Sequence, residues 1–138
     1  MELKVKKYPL ATLEFDEQKN ILFYRVHQDQ VVEEAEIKEM LGYVEEFVGY
    51  KNHYAVVDFG GNLTSSPEAR GLYETSDYIN TYRLADAFLV RSLAVRIVAN
   101  FFIKVTKPKV NTKLFTDEKE AVKWLEGLAK SEKKNGTI

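Results

Sequence analysis

Cysteine is absent from the chain. Its absence excludes disulfide bridges, thiolate zinc sites, iron–sulfur clusters and cysteine nucleophiles, and it fits a reducing compartment. An excess of either charge is missing too: 20 basic residues stand against 21 acidic ones, for a formal net charge of −1. No global field therefore draws the protein to nucleic acid or to an anionic membrane, and any electrostatic function has to be local. A membrane-spanning run is also lacking, since the most apolar stretch, Leu93–Val105, is short and interrupted by Arg96, Asn100 and Lys104. The start, Met1–Lys7, carries charges but no apolar core of leader length. No internal repeat or linker divides the chain. The expectation is a soluble, cytoplasmic protein with one domain over residues 1–130 and a polar, frayed tail over 131–138.

What is there is an ordinary globular balance, with 45% hydrophobic and 30% charged residues in 138, enough to bury a core without staples. The centre is Ala55–Arg70. An unbroken apolar run ending in Asp58 suits a strand covered on both faces, and Gly60-Gly61-Asn62 closes it by permitting positive φ. Before it, Ala11–Asp16 and Asn20–His27 alternate apolar and polar residues around a short polar turn, the pattern of an antiparallel hairpin. Over 33–50 the period changes. Ile37, Met40, Leu41, Val44, Phe47 and Val48 fall on an arc of roughly 120°, a helix with one buried face, and Glu33, Glu34 and Glu36 favour its start.

After the central strand, Tyr54–Phe59, the run Ser65-Ser66-Pro67-Glu68 reads as a capped helix start, and Thr75-Ser76-Asp77 as a break and restart. Leu84–Lys107 is ambiguous. Either Ala87–Arg91 is a strand and Leu93–Val105 a helix, or Leu93–Ala99 is itself a buried strand. The first is preferred, because Ser92 suits an N-cap and Arg96, Asn100 and Lys104 form one narrow polar stripe. Thr112–Phe115 reads as a short strand, and Thr116–Glu120 caps a last helix carrying Ala121, Val122, Trp124, Leu125, Leu128 and Ala129. The order β-β-α-β-α-β-α-β-α implies an α/β domain with a mixed, mostly parallel sheet and right-handed crossovers.

That order, together with S-P-E-A-R after the central strand and A-N-F-F-I-K-V-T-K-P-K-V-N-T-K-L-F-T-D-E-K-E-A-V-K-W-L near the end, resembles the SpoIIAA-like (STAS/SEC14-type) small domains, relatives of the anti-sigma-factor antagonists. The resemblance runs over Thr12–Lys130. It implies a SpoIIAA-like STAS fold with four or five strands and helices largely on one side. It also implies kinship with phospho-switched regulatory domains and with lipid-carrying domains. In the regulatory group a serine of an Asp-Ser-Ser-Gly motif, at the start of the second helix, is phosphorylated by a partner kinase. The matching place here reads Thr64-Ser65-Ser66-Pro67, without the Asp and the Gly.

Thr64, Ser65 and Ser66 are thus candidate phospho-acceptors, against a plain helix cap. Asp58 and Asn62 mark the loop and switch point, where an Asp capping a turn is commonplace. His27 and His53 lie at predicted strand ends without metal-motif spacing and read as surface or edge residues, so no metal or cofactor is expected. The apolar positions of Leu93–Val105 spread over roughly 240°, more than a one-faced helix needs. Ordinary burial accounts for that spread, as would a homodimer seam, a lid over an apolar cavity, or contact with a membrane surface. Phe101 and Phe102 would line such a cavity. Lys104, Lys107, Lys109 and Lys113 could grip an acidic partner or headgroup, although lysines also suit a helix C-terminus. Tyr73, Tyr78 and Tyr82 are spaced to line a pocket near the central loop, or to form a core edge. The expected function is a non-enzymatic binding or regulatory module acting through the loop after the central strand and the adjacent helix ends. The alternative is a carrier of an apolar, lipid-like ligand with Leu93–Val105 as wall or lid.

Overall fold

The computed structural model describes residues 3–27, 33–58, 67–90 and 109–135. The predicted helix Leu93–Val105 and the loop Phe59–Ser66 lie outside them. Six strands form one sheet in sequence order: β1 (Leu3–Lys7), β2 (Ala11–Asp16), β3 (Ile21–Val26), β4 (His53–Asp58), β5 (Arg83–Leu89) and β6 (Asn111–Phe115). β1–β2 and β2–β3 are antiparallel; β3–β4, β4–β5 and β5–β6 are parallel. The described helices are α1 (Glu34–Val48), α2 (Pro67–Glu74), α3 (Asp77–Tyr82) and α4 (Glu118–Asn135).

The expected hairpin is present, and its turn has a physical reason. Asn20 takes a positive φ of 61°, which an Asn tolerates better than most residues, while its side chain donates to the Asn52 carbonyl at 2.9 Å. β1 is an element that the sequence reading left out. Its five residues are exposed throughout, so no buried face marks them; pairing with β2 and a tight turn, Tyr8 N–H to the Ala11 carbonyl at 2.8 Å, hold it. Among the described residues the sheet therefore has six strands, one more than the largest number the resemblance implied.

β4 is buried along its whole length, as its apolar run requires of a central parallel strand. On one face Leu13, Phe15, Leu22, Tyr24, Ala55 and Val57 pack with Ile37, Met40 and Val44 of α1 and with Ala69 of α2. On the other, Ile21, Tyr54, Val56, Ala85, Ala87 and Leu89 pack with Ala121 and Leu125 of α4. Gly49, at φ 83°, ends α1 in the left-handed region where a glycine carries no penalty. The break between α2 and α3 falls at the predicted place, with the Ser76 side chain accepting the Ile79 N–H at 3.3 Å. α4 runs on to Asn135, past the expected start of a frayed tail at 131, and Glu132 accepts a hydrogen bond from the Tyr54 hydroxyl at 2.7 Å.

β5 corrects the reading further. It opens at Arg83, four residues ahead of the expected Ala87, directly after α3. Arg83 and Asp86 look like loop residues in a sequence, yet they are 5% and 1% exposed. A register shift between His53 and Tyr54 lets the β4 pairing skip Leu84, so Arg83 lies opposite His53 and Asp86 opposite Ala55. Without that bulge, period-two alternation would send Arg83 and Asp86 to opposite faces; with it they share one.

Candidate functional site

Arg83, Asp86, Tyr73 and His53 form a buried ionic lock at the amino ends of β4 and β5. Arg83 Nη1 donates both to an Asp86 oxygen and to the Tyr73 hydroxyl at 2.7 Å, and Tyr73 donates to the other Asp86 oxygen at 2.8 Å. Arg83 Nε donates to His53 Nε2 at 3.0 Å, which makes that nitrogen the acceptor and leaves Nδ1 to donate to the Lys51 carbonyl at 3.0 Å. His53 is thereby held neutral. Burial, reinforced by the Arg83 charge, depresses its pKa to about 3. Burial alone would lower Arg83, but the Asp86 carboxylate more than offsets it and the guanidinium stays charged. Burial likewise raises the Tyr73 hydroxyl well above the ordinary phenol range. Tyr73 is half-buried as a residue, and its hydroxyl belongs to the lock. His53 is fully buried rather than a surface or edge residue, because Arg83 and the Lys51 carbonyl satisfy both ring nitrogens. His27, partly exposed, bridges Thr12 Oγ1 at 2.9 Å and the Pro9 carbonyl at 3.1 Å across the β1–β2 turn.

Above the lock lies a patch of three tyrosines. The rings of Tyr78 and Tyr82 are 5.2 Å apart, those of Tyr50 and Tyr82 5.7 Å, and those of Tyr50 and Tyr78 6.2 Å, all mutually inclined. The Tyr78 ring is 6.3 Å from the His53 ring. Tyr78 donates to the Gly49 carbonyl at 2.6 Å, tying α3 to the end of α1, and burial pushes its pKa up to about 12. Tyr50 is 67% exposed and donates to Glu45 Oε1 at 2.5 Å; that hydrogen bond raises its pKa.

The patch brings Tyr78 and Tyr82 together but not Tyr73, which the lock takes. It sits by His53, the first residue of β4, whereas Asp58 is the last, so these tyrosines are not beside the start of the central loop. Tyr50 was missed. Neither period nor motif marks it, because it stands alone between α1 and β4 and meets α3 only in the folded chain.

Asp58 is 9% exposed, in register with Arg25 of β3 and Leu89 of β5. Close to it in the sheet, Arg25 donates to Glu118 of α4 at 2.5 Å and 3.4 Å and to Glu14 at 3.3 Å, pinning the start of α4 to the sheet. Lys109 is exposed just before β6. Asn62, Thr64, Ser65, Ser66, Phe101, Phe102, Lys104 and Lys107 lie outside the described residues. Among the described residues no three His, Asp or Glu side chains group to hold a metal, and no helix is long and apolar enough to cross a membrane.

The architecture has a counterpart among solved structures. A crystal structure at 2.25 Å of an uncharacterised protein of the DUF3478 family from Shewanella loihica PV-4, with a SpoIIAA-like fold, matches 90% of this chain over 92% of its own. The TM-score is 0.53 and the identity 12%. The chain is thus an α/β domain of the SpoIIAA-like fold, as its element order implied. Residues 15–129 match the model of the DUF7793 family, described as a domain of unknown function, and the chain belongs to that family. A comparison with curated proteins gives no match.

Proposed function

We propose that the chain is a non-enzymatic binding module whose partner, another protein, docks on the tyrosine patch. The supporting observation is Tyr50, a large aromatic ring left 67% exposed beside two further tyrosines. Amphipathic rings of this kind bury much area at little entropic cost, and they recur as anchors of protein interfaces. The lock beneath supports the same reading. It fixes the base of the patch, so little ordering has to be paid for on binding. A regulatory input is part of the proposal: Ser65 and Ser66 immediately precede Pro67, where α2 begins, and α2 carries Tyr73 into the lock. A cytoplasmic setting agrees with the lack of cysteine.

The test places a photo-crosslinking amino acid at position 50, and separately at exposed Lys130 on α4 as a control. One discrete adduct from position 50, lost on Tyr82→Ala and absent from the control, is the expected result. Identical adducts from both positions would reject the patch as the contact surface.

A further inference from the structure

We propose that the tyrosine patch recognises a cation, the guanidinium or ammonium group of an arginine or lysine on an extended segment of the partner protein. The inference rests on the reading of the patch as a contact surface and names the chemistry recognised there.

The argument begins with α1. The carbonyl end of a helix carries partial negative charge, which nearby cations stabilise. The last turn of α1 has no basic residue; it carries Glu45 and Glu46 instead. Lys6 answers Glu46 at 3.1 Å. Glu45 forms no ion pair among the described residues. Its carboxylate is exposed and is oriented by the Tyr50 hydroxyl. Carboxylate and dipole thus add at one spot, an arrangement that folding alone disfavours and that a bound cation would relieve.

The rings supply the rest. An aromatic face is the negative part of the ring quadrupole and attracts a cation within about 6 Å of the centroid. Three inclined rings beside one carboxylate offer both kinds of contact to a single planar guanidinium, which can stack on a ring and hydrogen-bond to Glu45 together. The two described cations nearest the patch in the chain are occupied elsewhere. Lys51, next to Tyr50, places its ammonium 4.4 Å from the Phe15 ring, and Arg83, behind Tyr78, is paired with Asp86. An anionic ligand would meet Glu45 and the carbonyl end of α1 as like charges. A purely apolar one would strip water from Glu45 without replacing it.

The experiment titrates the full-length, nitrogen-15-labelled chain with the peptide acetyl-Gly-Ser-Arg-Ser-Gly-amide, and with the same peptide carrying neutral citrulline for arginine. The expected result is a saturable shift of amide resonances confined to 45–51 and 78–82, with Kd on the order of 1 mM for so small a probe. Citrulline should bind at least about 5-fold more weakly, Glu45→Gln should weaken the arginine peptide about 5-fold, and Tyr50→Ala should abolish the localised shifts. Both variants alter exposed side chains, so unchanged resonances elsewhere report an intact fold. Equal binding of the citrulline peptide, equal affinity in Glu45→Gln, or no localised shift overturns the proposal. Cross-linking from position 50 that persists beside such a failure would retain the contact surface and reject only its preference for a cation.

Discussion

Arg83 and Asp86 show how much of this protein is decided by single side chains. Two opposite charges, buried at 2% and 1% side-chain exposure, are tolerable only because each completes the other's hydrogen bonds. Asp86→Asn preserves shape and removes the countercharge. It should cost about 3–5 kcal/mol, a large part of the roughly 5–15 kcal/mol that stabilises a domain, and be read as a lower urea midpoint. Combining it with Arg83→Met should recover part of the loss, since the two residues share one network. His53 adds a pH dependence. Its pKa falls from the ordinary 6.5 to about 3 in the folded chain, so below pH 6.5 the unfolded chain binds a proton that the folded one refuses. The stability due to neutral His53 is full above pH 6.5 and declines as the pH drops towards 3, by up to about 1.4 kcal/mol per pH unit. Urea unfolding at pH 7, 6 and 5, a range in which most carboxylates stay ionised, should show this slope, and His53→Gln should flatten it.

Between elements, the contact of α1 with the sheet holds a defect. Tyr24 on β3 and Tyr8 before β2 are 2% and 8% exposed, and among the described residues neither hydroxyl has a hydrogen-bond partner. Tyr8 stacks on Tyr43 of α1 with ring centroids 3.9 Å apart, so the rings pack well while the hydroxyls lose their water. Tyr24→Phe should therefore raise stability by about 1 kcal/mol. A loss of that size in calorimetry would mean that the hydroxyl holds a bound water. The described helices were largely readable: the break at Ser76 and the buried face of α1 follow from residues whose local preferences agree with their tertiary setting, whereas the stop at Gly49 was not read. β1 and the start of β5 were not readable, because one has no buried face and the other buries charges.

Across the whole molecule, β1 ends the sheet with Leu3 and Val5 exposed at 52% and 57%. Such an edge invites pairing with another chain, and Lys4, Lys6 and Lys7 set like charges against it. Replacing all three with Thr should increase self-association, measured by light scattering against the unaltered chain at the same concentration. The amino-end location of the tyrosine patch also belongs to this scale. Open α/β folds direct attention to the carboxyl ends of strands, and Asp58 stands there, but Tyr50, Tyr78 and Tyr82 meet at the other end.

By itself the sequence determined the β2–β3 hairpin, the two-sided burial of β4 and the described helices, since hydrophobic period, turn residues and caps act over a few neighbours, and its resemblance to the SpoIIAA-like domains implied the fold. Only the tertiary structure decided which polar residues go inside and which aromatic ones stay outside. A bulge at Leu84 turned Arg83 towards Asp86 and His53, and the end of α1 brought Tyr50 to α3. Those pairings join residues 30 apart along the chain in one case and 28 to 32 in the other, distances over which no local pattern carries information.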